Sequence, residues 1–184
     1  MAMQLSKLTL GCWALVGGQE WGDQEEALSI DTIHAALDNG IQSFDTAPMY
    51  GKGESERILG KALVGRRDQV IIADKLAPGV STKAAIQEAC EVSLKLLQTD
   101  VIDLMQIHWP DREVAFEKTI AGLLALKEAG KIKAFGVSNF SAIDLRNWQT
   151  AGGPIFSNQL PYSLLTRSIE FEIIPQCVDD NIGV

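Results

Sequence analysis

The sequence predicts an α/β chain whose parallel strands belong to a (β/α)8 barrel. Three observations predict it. Short β-branched or apolar runs alternate strictly with amphipathic helical stretches, which implies parallel strands joined by right-handed crossovers. The G-x-G-x-x-G fingerprint of an open doubly wound sheet is missing: the first run leads into Ala14-Leu15-Val16-Gly17-Gly18, and Gly51-Lys52-Gly53 is only a G-x-G. Polar or ionisable residues also close strand after strand, where one mouth of a barrel gathers them.

Each element follows from local pattern. Residues 8–13 read as a first strand, and residues 25–39 as a helix with Ala27, Ile30, Ile33, Ala36 and Leu37 on one face. Asn39-Gly40 stops that helix. Residues 41–45 form a second strand and residues 55–64 a helix, with Gly51-Lys52-Gly53 as the turn before it. Residues 69–75 are a third strand, followed by a helix over 82–97 for which Ser81 is the candidate N-cap. A fourth strand spans 101–108, and the helix over 116–128 closes at Ala129-Gly130. Residues 134–138 are a fifth strand, and Ser141 caps a helix reaching Gln149. Gly152-Gly153-Pro154 breaks that helix before a sixth strand at 155–159. A last helix covers roughly 171–180, and residues 182–184 open a seventh strand.

The 184 residues are 46% apolar and 22% charged, enough for a sizeable core in one domain. A complete eight-unit barrel takes about 250 residues. Six units and the start of a seventh strand therefore predict an incomplete barrel, C-terminally truncated by two units. The net charge of −8, with no basic run, argues against nucleic acid or anionic membrane as a partner. No run approaches the roughly 18 apolar residues of a membrane span, and residues 1–7 lack the apolar core of a secretory signal, so cytoplasm is the expected location. Cys12, Cys90 and Cys177 are too far apart for a C-x-x-C pair. They read as reduced, partly buried thiols, with neither a disulfide framework nor a metal site.

The strand ends carry the chemistry. Asp45 closes the second strand, Lys75 the third, His108 the fourth, Ser138-Asn139 the fifth and Asn158-Gln159 the sixth. Singly, each has an ordinary explanation as a turn, surface or core residue; their shared topological position sets them apart. Tyr50 lies one short loop beyond Asp45 and can fold over the same mouth. A phenol with a pKa of about 10 is a poor proton donor at neutral pH. The Lys75 ammonium is expected to lower it, with Asp45 orienting the lysine and His108 binding a substrate oxygen or completing a relay.

Five segments then resemble one family. Asp45-Thr46-Ala47-Pro48-Met49-Tyr50-Gly51 is similar to the aldo-keto reductase signature around the catalytic Asp and Tyr, and Ala73-Asp74-Lys75 to the strand bearing its Lys. Gln106-Ile107-His108-Trp109-Pro110 resembles the segment of its catalytic His. Gly136-Val137-Ser138-Asn139-Phe140 and Ser157-Asn158-Gln159 resemble the segments that hold the nicotinamide carboxamide. The resemblance covers essentially the entire chain, in order.

The resemblance implies an oxidoreductase that uses NADPH without a Rossmann fold to reduce a small aldehyde, ketone or sugar carbonyl. Tyr50 is then the general acid, tuned by Lys75 and Asp45, and His108 orients the carbonyl. Ser138, Asn139 and Gln159 bind the nicotinamide, and Asp45 touches its ribose. Trp13 and Trp109, with Trp21, are candidate pocket walls, or else ordinary packing. In the family, most contacts to the pyrophosphate and 2′-phosphate come from the seventh and eighth units, so a non-catalytic fragment or interaction subunit without tight cofactor binding is the alternative. A Schiff-base aldolase using Lys75 is a third reading, disfavoured by the Ser138-Asn139 and Gln159 segments.

Overall fold

A computed structural model describes residues 5–184, so the expectation for residues 1–7 lies partly outside the described residues. Six parallel strands, in sequential order, form one curled sheet: β1 (Thr9–Gly11), β2 (Ser43–Asp45), β3 (Ile71–Leu76), β4 (Ile102–Ile107), β5 (Ile132–Ser138) and β6 (Asn158–Gln159). Between and after them run α1 (Glu26–Asp38), α2 (Glu54–Ala62), α3 (Lys83–Leu96), α4 (Phe116–Glu128), α5 (Ala142–Thr150) and α6 (Ile173–Asp179). This is an incomplete (β/α)8 barrel. Residues 182–184 do open toward a seventh strand: Gly183 makes an isolated parallel bridge to Ser157.

Sheet register assigns the two faces. Lys75 aligns with Gln106 and Gly136, and Asp45 with Ala73, Leu104 and Ala134, so these residues share the inner face. Asp74, Met105 and Phe135 align on the outer face, toward the helices. Every residue of β4 is buried, as expected of a strand covered on both sides. Apolar side chains of α1 to α5 close the outer layer, where Phe116, Phe140 and Trp148 pack with centroids 5.3 to 5.7 Å apart. Offset and edge-on aromatic packing of this kind adds to the burial of area alone.

Two contacts set how the helices sit. Gly60 of α2 lies against the end of α3, and a Cβ there would fall 2.6 Å from the Leu96 carbonyl oxygen. Only glycine allows that approach. At the opposite end of the sheet from the mouth, the buried Asp103 carboxylate receives Arg67, Lys133 and the Ile72 N–H, binding β3, β4 and β5 together.

Several boundaries differ from expectation. The first strand ends at Gly11, and Trp13 instead enters a 3-10 turn, Trp13–Val16. β5 starts two residues early, at Ile132, because Gly130, at φ 71°, reverses the chain directly after α4. β6 keeps only two of five expected residues, since only Val137 and Ser138 pair with it. Thr82, not Ser81, caps α3, accepting from the Ala85 N–H; the Ser81 hydroxyl is drawn away to Asp111. The Ser141 cap is a full capping box with Asp144. All three cysteines are free and wholly buried, more so than expected. Among the described residues no helix is long and apolar enough to cross a membrane.

Two stability outcomes follow. Asp103→Asn should cost about 1.5–3 kcal/mol in urea unfolding at neutral pH, because the buried carboxylate's charge-assisted hydrogen bonds are lost while Lys133 and Arg67 stay partly open to water. Burial pushes the Asp103 carboxyl up, but Lys133, the Ile72 N–H and Arg67 together hold it below its ordinary value. A depressed carboxyl stabilises above the unfolded Asp pKa of about 3.9 and loses that contribution as pH falls through the folded value, so wild type should lose more stability than the variant in acid. Gly60→Ala should overpack the α2–α3 crossing by about 1–3 kcal/mol, read as a lowered urea midpoint.

Candidate active site

The open mouth is built from the C-terminal ends of the strands. Lys75 enters it from β3 on the inner face, with its side chain 1% exposed. An ammonium out of water needs an acceptor for each of its three hydrogens. Lys75 Nζ has three: Asp45 Oδ1 at 2.6 Å, the Thr46 carbonyl at 3.0 Å and Tyr50 Oη at 3.3 Å. All three come from β2 and the loop after it. Since an ammonium only donates, Tyr50 must accept with its oxygen, and its own hydrogen is left to point elsewhere.

The Tyr50 loop is pinned from beneath. Tyr50 N–H donates to the Ala47 carbonyl, and its own carbonyl receives the Ser55 N–H. Below it, the Thr46 hydroxyl donates to Ser55 Oγ, which donates to the Cys12 carbonyl. The chain thus ties β1, β2 and α2 together under the ring. Trp13 stacks on Tyr50 with centroids 5.8 Å apart, and Trp21 meets Trp13 edge-on. His108, one residue beyond β4, sits perpendicular to Tyr50 at 6.1 Å between centroids.

Electrostatics correct one expectation. Burial pushes the Tyr50 phenol above its ordinary value; Lys75 opposes this, while Asp45 adds to the rise. The ammonium therefore moderates an upward shift and does not produce a net downward one. The phenol carries its proton at neutral pH. Burial, then Lys75, lower the His108 pKa, leaving a neutral imidazole whose Nδ1 is buried without a partner.

On the far side of the mouth, Asn139 adopts a left-handed conformation at φ 62°, which asparagine tolerates better than most residues. Its Nδ2 donates to the His108 carbonyl and to Ser138 Oγ, joining the ends of β4 and β5. Ser138 Oγ donates onward to the Gln159 carbonyl. The Gln159 side-chain oxygen faces Gln106 Nε2 at 3.5 Å. Asn139 Oδ1 and Gln159 Nε2 are left without protein partners among the described residues, one acceptor and one donor. A carboxamide is their complement.

The structure thus brings Asp45, Tyr50, Lys75 and His108 together, with Ser138, Asn139 and Gln159 beside them. Trp13 joins the site. Trp109, the residue after His108, is exposed and lines a narrow cleft with Val80, Ser81, Phe116 and Trp148. Sequence reasoning missed Thr46, whose backbone holds Lys75, and the Ser55 relay, since neither has a motif of its own. Gln106 was within reach: strand alternation places it two residues before His108, on the inner face with Lys75. Among the described residues no group of three His, Cys, Asp or Glu side chains is placed to hold a metal.

The cluster of Tyr50, Lys75, Asp45 and His108 thus sits at the mouth of an incomplete parallel barrel, and comparison with known proteins supplies the family. The model of the aldo/keto reductase family matches residues 7–184, and the chain belongs to that family. It is 46% identical to the aldo-keto reductase YhdN of Bacillus subtilis, over 98% of this chain and 57% of that protein. The methylglyoxal reductase YeaE of Escherichia coli is 35% identical, over 92% of this chain and 61% of that one. A crystal structure of an aldo/keto reductase from Klebsiella pneumoniae, in complex with NADP and acetate, superposes with a TM-score of 0.89 at 30% identity, covering 97% of this chain and 62% of the other. The chain therefore spans less than two thirds of the length of these relatives.

The Tyr50–Lys75 contact has a direct test. In a Tyr162→Phe background, which leaves Tyr50 as the sole tyrosine, Lys75→Met should move the phenol titration further upward in an ultraviolet pH titration. A downward move would contradict the ammonium's role in opposing the rise.

Proposed function

We propose that the protein reduces aldehydes or ketones to alcohols with NADPH, with Tyr50 as the general acid. The observation that carries this is the polarity of the Lys75–Tyr50 hydrogen bond. Lys75 can only donate, so the Tyr50 hydrogen is directed to a group in the mouth, and a carbonyl oxygen there would receive it.

The residues present fit a nicotinamide cofactor. Asn139 Oδ1 and Gln159 Nε2 would hold the carboxamide, with Ser138 fixing both chain ends. Asp45 Oδ2, which has no hydrogen-bonding partner among the described residues while Oδ1 binds Lys75, would accept from a ribose hydroxyl. The cofactor, when bound, supplies the hydride. The Klebsiella structure, crystallised with NADP, supports the choice of dinucleotide.

The protein's own part is proton control and placement. Neutral His108 would donate its single N–H to the carbonyl oxygen, drawing the carbonyl into line beside Tyr50. As the oxygen gains negative charge, the Tyr50 proton moves to it, and the phenolate left behind is stabilised by the Lys75 ammonium at 3.3 Å. Asp45 and the Thr46 carbonyl keep that ammonium fixed, so no reorganisation is needed during transfer. Trp13 and Trp21 form an apolar wall beside the reacting group.

A second reading, an interaction subunit without tight cofactor binding, is favoured by Leu164 and Leu165, just past β6, which are 90% and 96% exposed. Titration with NADPH, followed by quenching of the four tryptophans, separates the readings: micromolar binding supports the reductase, and no binding supports the subunit.

NADPH oxidation with an aromatic aldehyde should fall about 10²–10⁴-fold in Tyr50→Phe, the usual contribution of a positioned general acid. Because the phenol is shifted upward, reduction should be flat through neutral pH and decline only as pH rises through the Tyr50 titration. Unchanged turnover in Tyr50→Phe would remove Tyr50 from the role.

A further inference from the structure

Behind Lys75, on the opposite face of β3, Asp74 points into the helix layer and meets Glu56 of α2. Both residues are fully buried, at 0% exposure. Among the described residues, none of their four carboxyl oxygens has a hydrogen-bonding partner within ordinary geometry. Two ionised carboxylates side by side in one dry layer would cost more than the protein's surplus of stability. A proton on one of them supplies the missing donor, since a protonated carboxyl can donate to its neighbour.

The groups around the pair do not neutralise it. From α3, the Ser93 hydroxyl lies beside both carboxyls and favours their charged forms, but it has a single hydrogen to give. Cys90, also on α3, is held neutral by a thiol pushed up to about 11 by burial, Glu91 and Asp74. β4 presents Met105 beside Asp74. The Lys75 backbone N–H and ammonium favour ionised Asp74, yet burial and Glu56 outweigh them and hold the Asp74 carboxyl well above its usual range. Burial likewise holds Glu56 up, against Ser93 and Asp74.

Position gives the pair its consequence. Asp74 is the chain neighbour of Lys75 on β3. Glu56 stands one residue after Ser55, whose hydroxyl and N–H pin the Tyr50 loop. We infer that Glu56 and Asp74 share a proton at neutral pH and that this hydrogen-bonded acid pair is the joint that positions the Tyr50 loop on α2 against Lys75 on β3. Both are positioning residues, acting through Tyr50 and Lys75 without facing the mouth. The inference rests on the reading of Tyr50 and Lys75 as the reacting pair only for its consequence in catalysis.

The sign of the pH dependence follows from the raised pKa values. Between the unfolded carboxyl values, about 4, and the folded ones, the native state holds more protons than the unfolded chain. The stability the pair contributes is fully present below the unfolded values. It is lost as pH rises through the folded ones.

The test uses the full chain and needs no turnover. Infrared spectra at neutral pH should show a protonated-carboxyl stretch that disappears in the double variant Glu56→Gln/Asp74→Asn, whose amides do not titrate. The melting temperature of wild type should fall relative to that variant as pH is raised from 5 to 8. For positioning, the ring-carbon NMR signal of Tyr50 (in Tyr162→Phe) should shift in Glu56→Asp, which withdraws the carboxyl by one methylene. It should stay at the wild-type position in Glu56→Gln, whose amide still donates to Asp74. Absence of the infrared band, its persistence in the double variant, or parallel melting curves across pH would overturn the shared proton. A Tyr50 signal unmoved in Glu56→Asp would overturn the positioning role. Because none of these readouts is activity, a Tyr50→Phe variant that still reduced carbonyls would overturn the assigned site and leave the acid pair standing.

Discussion

Taking the Lys75 ammonium out of water obliges the fold to bring three acceptors to one point. They come from Asp45, the Thr46 backbone and Tyr50, a single stretch of chain around the end of β2. That stretch must therefore lie directly beside β3, which parallel pairing of Asp45 with Ala73 achieves. Once the ammonium is seated, the geometry of the tyrosine follows: its ring lies against Trp13, its oxygen accepts from lysine, and its hydrogen is free. An uncompensated lysine at this depth would instead be a large liability.

The same strand carries the opposite problem on its other face. One residue away, Asp74 enters an apolar helix layer where, among the described residues, its carboxyl oxygens have no hydrogen-bonding partner in ordinary geometry. The two faces answer burial differently, the inner with a charged pair and the outer with a shared proton. Both answers run through the short segment from Asp45 to Glu56, which supplies the carboxylate, the phenol, the Ser55 relay and the outer acid. Gly60 then allows α2 to press against the end of α3, keeping that segment in place.

Much of this was legible in the sequence. Alternation of apolar runs and amphipathic stretches located every strand and helix, because a buried parallel strand and a one-sided helix each leave a periodicity that survives without tertiary context. The residues closing the strands were legible for the same reason: topology alone sends them to one mouth. Less was legible where backbone pairing decides. β6 shrank to two residues because only Val137 and Ser138 meet it, and Ser81 lost the α3 cap to Thr82 because Asp111, thirty residues away, captures its hydroxyl. Glu56 and Asp74 read as ordinary charged residues in a string of letters, and only packing shows them buried together.

The sequence by itself determined the order of units, the residue types at the mouth and the neighbourhood of Tyr50 to Asp45, since all of these depend on local pattern and connectivity. Tertiary structure decided the charge states. The Lys75 ammonium was expected to pull the Tyr50 phenol down, yet burial of the ring outweighs it and the net shift is upward. The balance between a nearby charge and the loss of water depends on depth and on every neighbour at once. Neither can be read from spacing along the chain, because both arise only when distant segments close around the same atoms.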